Sequence, residues 1–531
     1  MRFFPKNLPE ALWKRILIRC FFLGLYGFIG LILAIVGVIA LFQIPGVTGW
    51  MMSSILKSGW SVFPDLKPPI LTGGLPSGQQ IIHNPQPSNA FELFQWDKVW
   101  NAHFKFTSNQ WVMLSPKDIP PLKGGLSPRQ NLRNPVASRS GLLGVIGWDL
   151  DWSNAESLDF NGTKFTNVAV RYKGNGTFLE SKNNYKRSLK ADLNEHVKGQ
   201  RLAKQETLNF HNLLADRSRV SDTMGYRYFK QIGVPVPGTS FVEVSAEIEH
   251  VFQPSLLGLY LLVQKPNESW SVDNLGKKGG ALLKPVTIDL LKFLGEDWAA
   301  YEAIYGSKTK LSDAQQKHIM DASRWVTNLS GSAADEEFQR YFDVDNLARF
   351  FAGQVLLSNF DGILFNGQNF LMTLEPDTHL IGFAPWDLDH SWGEFPLTGT
   401  LKQRIHASIH KPWIGKNFFV EKLFAIPSFK KRYLQEIQDQ LDKHFIPEQL
   451  NADIDHIAGI IRPFVQKEPA PRPGKFEIAV NAEFVPQQDF DNPMDPNRPA
   501  HQIKRFINDR HESVRAQLAG EEEGVVITFD Q

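Results

Sequence analysis

Asp361 is followed five residues later by Asn366 and then by Asn369, and a second pair of acids, Asp387 and Asp389, closes the stretch 342–393. Phosphotransferase loops place a proton-accepting Asp and a metal-holding Asn at that same spacing, so that a substrate hydroxyl and a divalent cation meet. Asp387 follows the apolar run 380–383 and Pro385-Trp386, where a strand-end acid can reach the same cation. Mg2+ prefers a few carboxylate or carboxamide oxygens, with phosphate and water filling its other positions, and sparse Asp and Asn on two loops suit it. The same residues also suit two polar turns, with side chains bonded to local backbone N–H groups. His390 is joined by His406 and His410, which stand four apart without a Glu-x-x-His context or a third ligand, so zinc is not expected.

These loops need a scaffold. Asp343 or Asp345 can cap a helix whose Leu347, Phe351 and Val355 recur every four positions and which ends near Ser358. The runs 370–374 and 380–383, joined by Pro376-Asp377, read as a hairpin. Upstream, 165–173 alternates apolar and polar residues as a half-buried strand does, breaks at Gly174-Asn175-Gly176-Thr177, and is followed by strand-like 185–193. Arg171, Lys173 and Lys190 lie near this glycine turn and could cover phosphates, although an ordinary hairpin with solvated lysines has the same spacing. A helix is expected over 218–232, with Ser218 as N-cap, Val220, Met224, Tyr228 and Ile232 on one stripe, and Gly233 as its stop. Asp222 falls off that stripe, facing water or a cleft. Strands are expected at 93–96, 99–106, 239–244 and 258–264, a short helix from Ser108, mostly helix over 288–347, helices in 401–462, a loop over 463–500 and a last helix over 502–518.

Lys plus Arg number 57 against 56 Asp plus Glu, so no global field favours nucleic acid, and none is expected as a partner. The single cysteine, Cys20, excludes an internal disulfide. No charged residue lies between Arg19 and Lys57, and 20–44 is almost wholly apolar, long enough to span a bilayer. Arg2, Lys6, Lys14, Arg15 and Arg19 precede it against Glu10 alone, which by the positive-inside rule keeps the N-terminus in the cytoplasm and exports the rest. A cleaved signal peptide is the rival, but the run is long and lacks a small-x-small cleavage site. Residues 45–91 are a Pro/Gly/Ser linker, and a second such stretch, 115–141, is a surface insertion or a lid.

Several segments together resemble the CotH kinase family, named for a spore coat protein H. They are Val168-Ala-Val-Arg-Tyr-Lys-Gly-Asn175, Ser188-Leu-Lys190, Tyr226-Arg-Tyr-Phe-Lys-Gln-Ile-Gly-Val-Pro-Val-Pro237, Gly258-Leu-Tyr-Leu-Leu-Val263, Phe342-Asp-Val-Asp-Asn-Leu-Ala-Arg349, Ser358-Asn-Phe-Asp-Gly362 and Pro385-Trp-Asp-Leu-Asp-His-Ser-Trp-Gly393. The resemblance implies an atypical protein-kinase-like two-lobed domain, so that with the apolar segment the expected fold class is α+β: an N-terminal transmembrane helix followed by that domain. On that reading 1–15 is cytoplasmic, 16–44 the anchor, 45–91 the linker, 92–520 the kinase-like domain with lobes at about 92–285 and 286–520, and 521–531 an acidic tail. It further implies ATP and Mg2+ or Mn2+ as cofactors and Ser or Thr of a surface or exported protein as acceptor. Lys190 would bind ATP phosphates and pair with Asp222, which stands where the family usually has a glutamate. Asp361 would be the base and Asp387 the metal-binding acid, with Asn366 or Asn369 assisting and Asp389 nearby. The family's Arg-Glu-Lys appears here as Ser221-Asp222-Thr223, and its Leu-Val-Glu as Leu262-Val263-Gln264. With ATP scarce outside the cytoplasm, these departures also support another class, a surface adhesion or assembly protein on a kinase-like scaffold with weak or lost catalysis. A metal-dependent hydrolase has no nucleophile or His motif here to recommend it.

Protease added to intact cells is expected to digest everything beyond the apolar segment; full protection of the chain would reverse the topology.

Overall fold

In the computed structural model, strands follow where burial alternates along the chain. The structure describes residues 85–114, 150–174, 178, 181, 185–250, 252–329, 335–481 and 501–528. β1 (Val99–Phe106) buries Ala102, Phe104 and Phe106 while His103 and Lys105 stay half-exposed. β2 (Ser153–Phe160) and β3 (Thr163–Tyr172) form a hairpin whose two turn residues, Asn161 and Gly162, have φ of 52° and 89°. A two-residue turn with both φ positive matches the twist of the flanking strands, and Asn-Gly is the pair that adopts it most readily. β4 (Leu189–Asp192), β5 (Thr207–His211), β6 (Thr239–Ile248) and β7 (Phe252–Val263) complete a closed barrel in the order β1-β2-β3-β4-β5-β7-β6. Every pairing is antiparallel except β1 with β6, which closes it.

A second sheet of three strands runs β10-β9-β8, made by β8 (Ala281–Leu283), β9 (Phe370–Leu374) and β10 (Ile381–Pro385). Around it lie helices, among them α1 (Ser221–Gln231), α2 (Val344–Leu356), α3 (Pro427–Lys443), α4 (Pro447–Val465), α5 (Arg472–Val480) and α6 (Ile503–Ala519). Asp343 caps α2 by accepting from the Asn346 N–H, and Phe350 and Phe351 on that helix both stack edge-on against Phe383 of β10. Asn346 fixes the register of β10 itself, accepting from the Phe383 N–H at 2.6 Å and donating to its carbonyl at 3.2 Å. The buried Arg510 of α6 donates to the carbonyls of Val355, Ile405 and Ala407, satisfying the end of α2 without a carboxylate. The fold is thus α+β.

Some expectations change. Residues 93–96 do not form a strand: Asn89 caps a short helix, Ala90–Leu93, by accepting from the Glu92 N–H, and a local cap outweighs β propensity there. Helix α1 starts at Ser221 rather than 218, because Asp216 takes the Ser218 and Ser221 N–H groups. The loop expected over 463–500 contains α5, which places Pro at its first turn and buries Phe476, Ala479 and Val480. No helix among the described residues is long and apolar enough to cross a membrane. The anchor at 16–44, nearly all of the 45–91 linker, the 115–141 insertion and the tip of the 174–177 turn lie outside the described residues.

A buried carboxylate joins the barrel to the helices. Glu468, just past α4, accepts from the Lys186 ammonium and, at 3.0 Å, from the Leu259 N–H of β7, with the Lys186 and Glu468 side chains at 0% and 1% exposure. Gly258 makes room: its φ is +124°, and a Cβ there would stand 2.7 Å from Glu468 Oε1 and 3.1 Å from Lys186 Cε. Removing one partner of a buried pair strands the other, so Glu468→Ala is expected to lose about 3–5 kcal/mol in urea unfolding. Gly258→Ala should lose about 1–3 kcal/mol from backbone strain alone. Unchanged midpoints for both would show that this junction does not support the fold.

Candidate functional site

The chain leaves α2 through Ser358, whose φ is +44°, and enters a loop that buries Asp361 to 8% exposure. Three carboxamides converge on that carboxylate. Asn366 donates to its Oδ1 at 2.5 Å and Gln368 to the same oxygen at 3.0 Å, while Asn369 donates to Oδ2 at 3.1 Å and to the Asp361 carbonyl at 2.9 Å. Burial raises the Asp361 pKa above its ordinary value, opposed by His390 and by the Asn366 and Gln368 hydrogen bonds. The Asn366 Oδ1 is itself buried, with no hydrogen-bond partner among the described residues. An acceptor left so is costly unless a cation or donor completes it.

The second loop follows β10. Asp387 adopts φ +58°, a left-handed conformation, and stays there because α1 holds it. The Asp387 N–H donates to the Tyr226 hydroxyl at 2.8 Å, the Leu388 N–H donates to Asp222 Oδ1 at 2.6 Å, and the Trp392 indole donates to the Ser221 carbonyl at 3.1 Å. Asp387 remains the open acid, its side chain 38% exposed, while Asp222 is 2% exposed. Burial drives the Asp222 pKa up to about 6 against the pull of the Leu388 N–H and Lys173. Asp389 is raised well above the ordinary range by burial and by the repulsion of Asp387, Asp222 and Asp361, with His390 opposing. His390 reaches Glu394 Oε2 at 2.5 Å. Burial discourages its charge, but Glu394, Asp389 and Asp361 outweigh that and hold it as a cation well above the usual range.

Opposite these acids stands a set of cations on the barrel. Arg171 of β3, Lys190 of β4 and Asn209 of β5 share one row across the strands. One alternation further along, about 6.6 Å, the Lys173 N–H bonds the Ser188 carbonyl beside His211 at the end of β5. Lys173 Nζ shares a hydrogen bond with His211 Nε2 and lies 5.9 Å from the Trp386 ring, with Lys284 at 5.1 Å from the same ring. Burial lowers the Lys173 pKa to about 7, against the attraction of Asp387 and Asp222 and with Lys284 and Lys190 adding repulsion. Lys190, 5.5 Å from the Trp152 ring, is lowered to about 8 by burial and then by Lys265 and Arg171. The expected ion pair between Lys190 and Asp222 is not formed among the described residues, because Lys190 stands one row too far along the barrel. Lys173 takes the position facing Asp222.

His211 was missed by sequence reasoning. Its Nδ1 lies 3.9 Å from Asp222 Oδ2 and 3.8 Å from Asp387 Oδ1, and burial, with Lys173 beside it, depresses its pKa to about 3. The signal available was the run Thr207-Leu-Asn-Phe-His211, a strand ending in a histidine. Gln368 was missed as well, and Gln264 turns away from the acids to bind the Gly238 N–H and Asp273. His211, Asp222 and Asp387 could together hold a cation; Asp361, Asp389 and His390 also converge, but His390, held as an imidazolium, has no lone pair to offer.

Comparison with known proteins adds a family. A family model described as CotH kinase protein matches residues 170–514. The inner spore coat protein H of Bacillus subtilis (strain 168) is 24% identical over 262 residues, spanning 48% of this chain and 67% of that protein. The crystal structure of a Helicobacter pylori proinflammatory kinase, CtkA, aligns with 59% of this chain and 90% of its own at 11% identity, but with a TM-score of 0.20 it bears no weight.

Asp222 supplies a test by linkage. Its folded pKa, about 6, lies above the ordinary aspartate value of 3.8, so between those values the folded state binds more protons than the unfolded one. Its contribution therefore falls as pH rises from about 4 to about 6 and is flat above. In metal-free protein, Asp222→Asn is expected to remove that decline, so wild type should lose stability relative to the variant across this window. A constant difference between pH 4 and 7 would contradict the shift.

Proposed function

The chain belongs to the CotH kinase family, and from that premise we propose that it transfers the γ-phosphoryl group of ATP to Ser or Thr hydroxyls, the barrel and the helical part serving as the two lobes of an atypical kinase fold. The observation that carries this reading is the opposition of two acid-bearing loops, at Asp361 and Asp387, to the barrel's row of cations. Lys173, with Arg171 and Lys190 one row along, binds the phosphates; Lys173 is the lysine whose charge Asp222 and Asp387 support. Asp361 accepts the hydroxyl proton as the acceptor oxygen forms its bond to phosphorus and ADP leaves. Its three carboxamide donors fix which lone pair faces the acceptor, and its burial keeps it basic enough to take a proton.

Mg2+ or Mn2+ fits this donor set. Asp387 offers an exposed carboxylate, and Asn366 offers a buried carbonyl oxygen with no hydrogen-bond partner among the described residues, which favours it over Asn369. Asp389, two residues on from Asp387, adds a carboxyl oxygen that burial and its acidic neighbours bias toward the neutral form. When bound, the cation neutralises charge on the transferred phosphoryl group. The protein's own work is positioning and electrostatic preorganisation.

The basic N-terminal flank and apolar residues 20–44 support a single-pass anchor with an extracytoplasmic domain, and so a protein substrate at the surface or in export.

Incubating the purified chain with labelled ATP and Mg2+ or Mn2+ tests the reading. Asp387→Ala is expected to abolish transfer, and Asp361→Asn to slow it by about 10²- to 10⁴-fold. Lys173→Ala should raise the KM for ATP more than Lys190→Ala. Equal labelling by wild type and Asp387→Ala would remove Asp387 from the mechanism.

A further inference from the structure

The acids of the site face a nitrogen that a purely oxygen-liganded Mg2+ centre does not need. His211 ends β5 with its side chain 11% exposed, and its Nδ1 points between Asp222 and Asp387. The separations, 3.9 Å to Asp222 Oδ2 and 3.8 Å to Asp387 Oδ1, are too long for hydrogen bonds. They are the separations expected around an ion. At bond lengths of about 2.1 Å, two ligand atoms on one cation lie between about 3.0 Å apart at right angles and about 4.2 Å apart in line.

Each oxygen is also accounted for. Asp222 spends Oδ1 on the Leu388 N–H, which leaves Oδ2 turned to the imidazole. Asp387 has its backbone N–H held by Tyr226, which leaves its side chain to the opening. Three protein ligands from three different elements, the end of β5, the first turn of α1 and the loop after β10, thus meet within 4.8 Å of one another.

We propose that His211 is a metal ligand in this chain, giving the phosphate-bearing cation an imidazole-dicarboxylate site that prefers a first-row transition ion over Mg2+. Imidazole suits such ions, whereas Mg2+ takes oxygen donors and holds its water tightly. The inference rests on the kinase reading above and sharpens its choice of cofactor. It also couples the two halves of the site. While Lys173 donates to Nε2, the neutral ring carries its hydrogen on Nδ1 and cannot ligate. In that tautomer Nδ1 is freed when Lys173 turns away, toward a phosphate, so nucleotide and the histidine-bound cation support each other.

The test uses the full chain with Mn2+ as probe, with and without a non-hydrolysable ATP analogue, followed by pulsed electron paramagnetic resonance. A directly bonded nitrogen coupling is expected, strongest with the analogue present, and it should change when histidine is labelled with 15N and vanish in His211→Gln. Mn2+ should bind at least tenfold more tightly than Mg2+ to wild type, and that ratio should collapse in His211→Gln at an unchanged melting temperature. Should His211→Gln fail to fold, the 15N substitution in wild type decides alone. Mn2+ binding that depends on Asp387 but carries no histidine coupling would overturn the proposal and leave the kinase reading intact. No divalent cation bound with or without the analogue would overturn both.

Discussion

Two consecutive backbone N–H groups, those of Asp387 and Leu388, are held by two side chains one turn apart on α1, Tyr226 and Asp222. The open acid depends on that pair of bonds. A left-handed φ on a non-glycine residue costs about 1–3 kcal/mol, and it persists only where the surroundings over-determine it. Here they do so from the helix side, and the close approach has a visible cause. A Cβ on Gly225 would stand 2.6 Å from Leu388 Cδ1 and 3.3 Å from its Cβ, so glycine at that position lets α1 settle against the loop without displacing Leu388. Asp222 is one methylene shorter than the glutamate its family usually carries there, and the helix has moved its reach elsewhere. The carboxylate grips the metal-side loop instead of crossing to Lys190.

That shift changes which barrel cation matters. On a kinase-like scaffold the lysine that supports phosphate is recognised by the acid it faces. Lys190 sits in a row with Arg171 and near Lys265, among like charges, while Lys173 alone has Asp222 and Asp387 among its principal attractions. A two-residue displacement along paired strands preserves the face and changes the partner. Sequence motifs single out Lys190, yet they cannot reveal that Asp222 and Asp387 attract Lys173 instead.

The helix over 344–356, its cap at Asp343 and the hairpin after it were legible because periodicity, a capping residue and turn chemistry all agreed. Asp361 and Asn366 were legible from spacing, and the structure brings them within hydrogen-bond contact. Strands β2 and β5 gave little local signal. Ser, Asn and Glu in β2 obscure its alternation, and β5 is five residues with four of them buried, which no period distinguishes from a short buried helix. His211 was lost with that strand. Its neighbours Asp222 and Asp387 come from 11 and 176 residues further along, so only the closed barrel could have placed them together.

Charge is sorted by element in a way that bears on the proposed chemistry. The loops after α2 and β10 carry Asp361, Asp387 and Asp389, with His390 as an internal cation tempering Asp361 and Asp389. The barrel carries Arg171, Lys173 and Lys190, and burial weakens the hold of both lysines on their protons. Each side by itself is unfavourable, since like charges are gathered where water is partly excluded. A polyphosphate bound with a divalent cation presents the complementary pattern, anion toward the barrel and cation toward the loops. Such a ligand relieves strain on both sides at once, and neither half relieves both alone. Under the proposed function, this electrostatic penalty is also the source of selectivity for the pair.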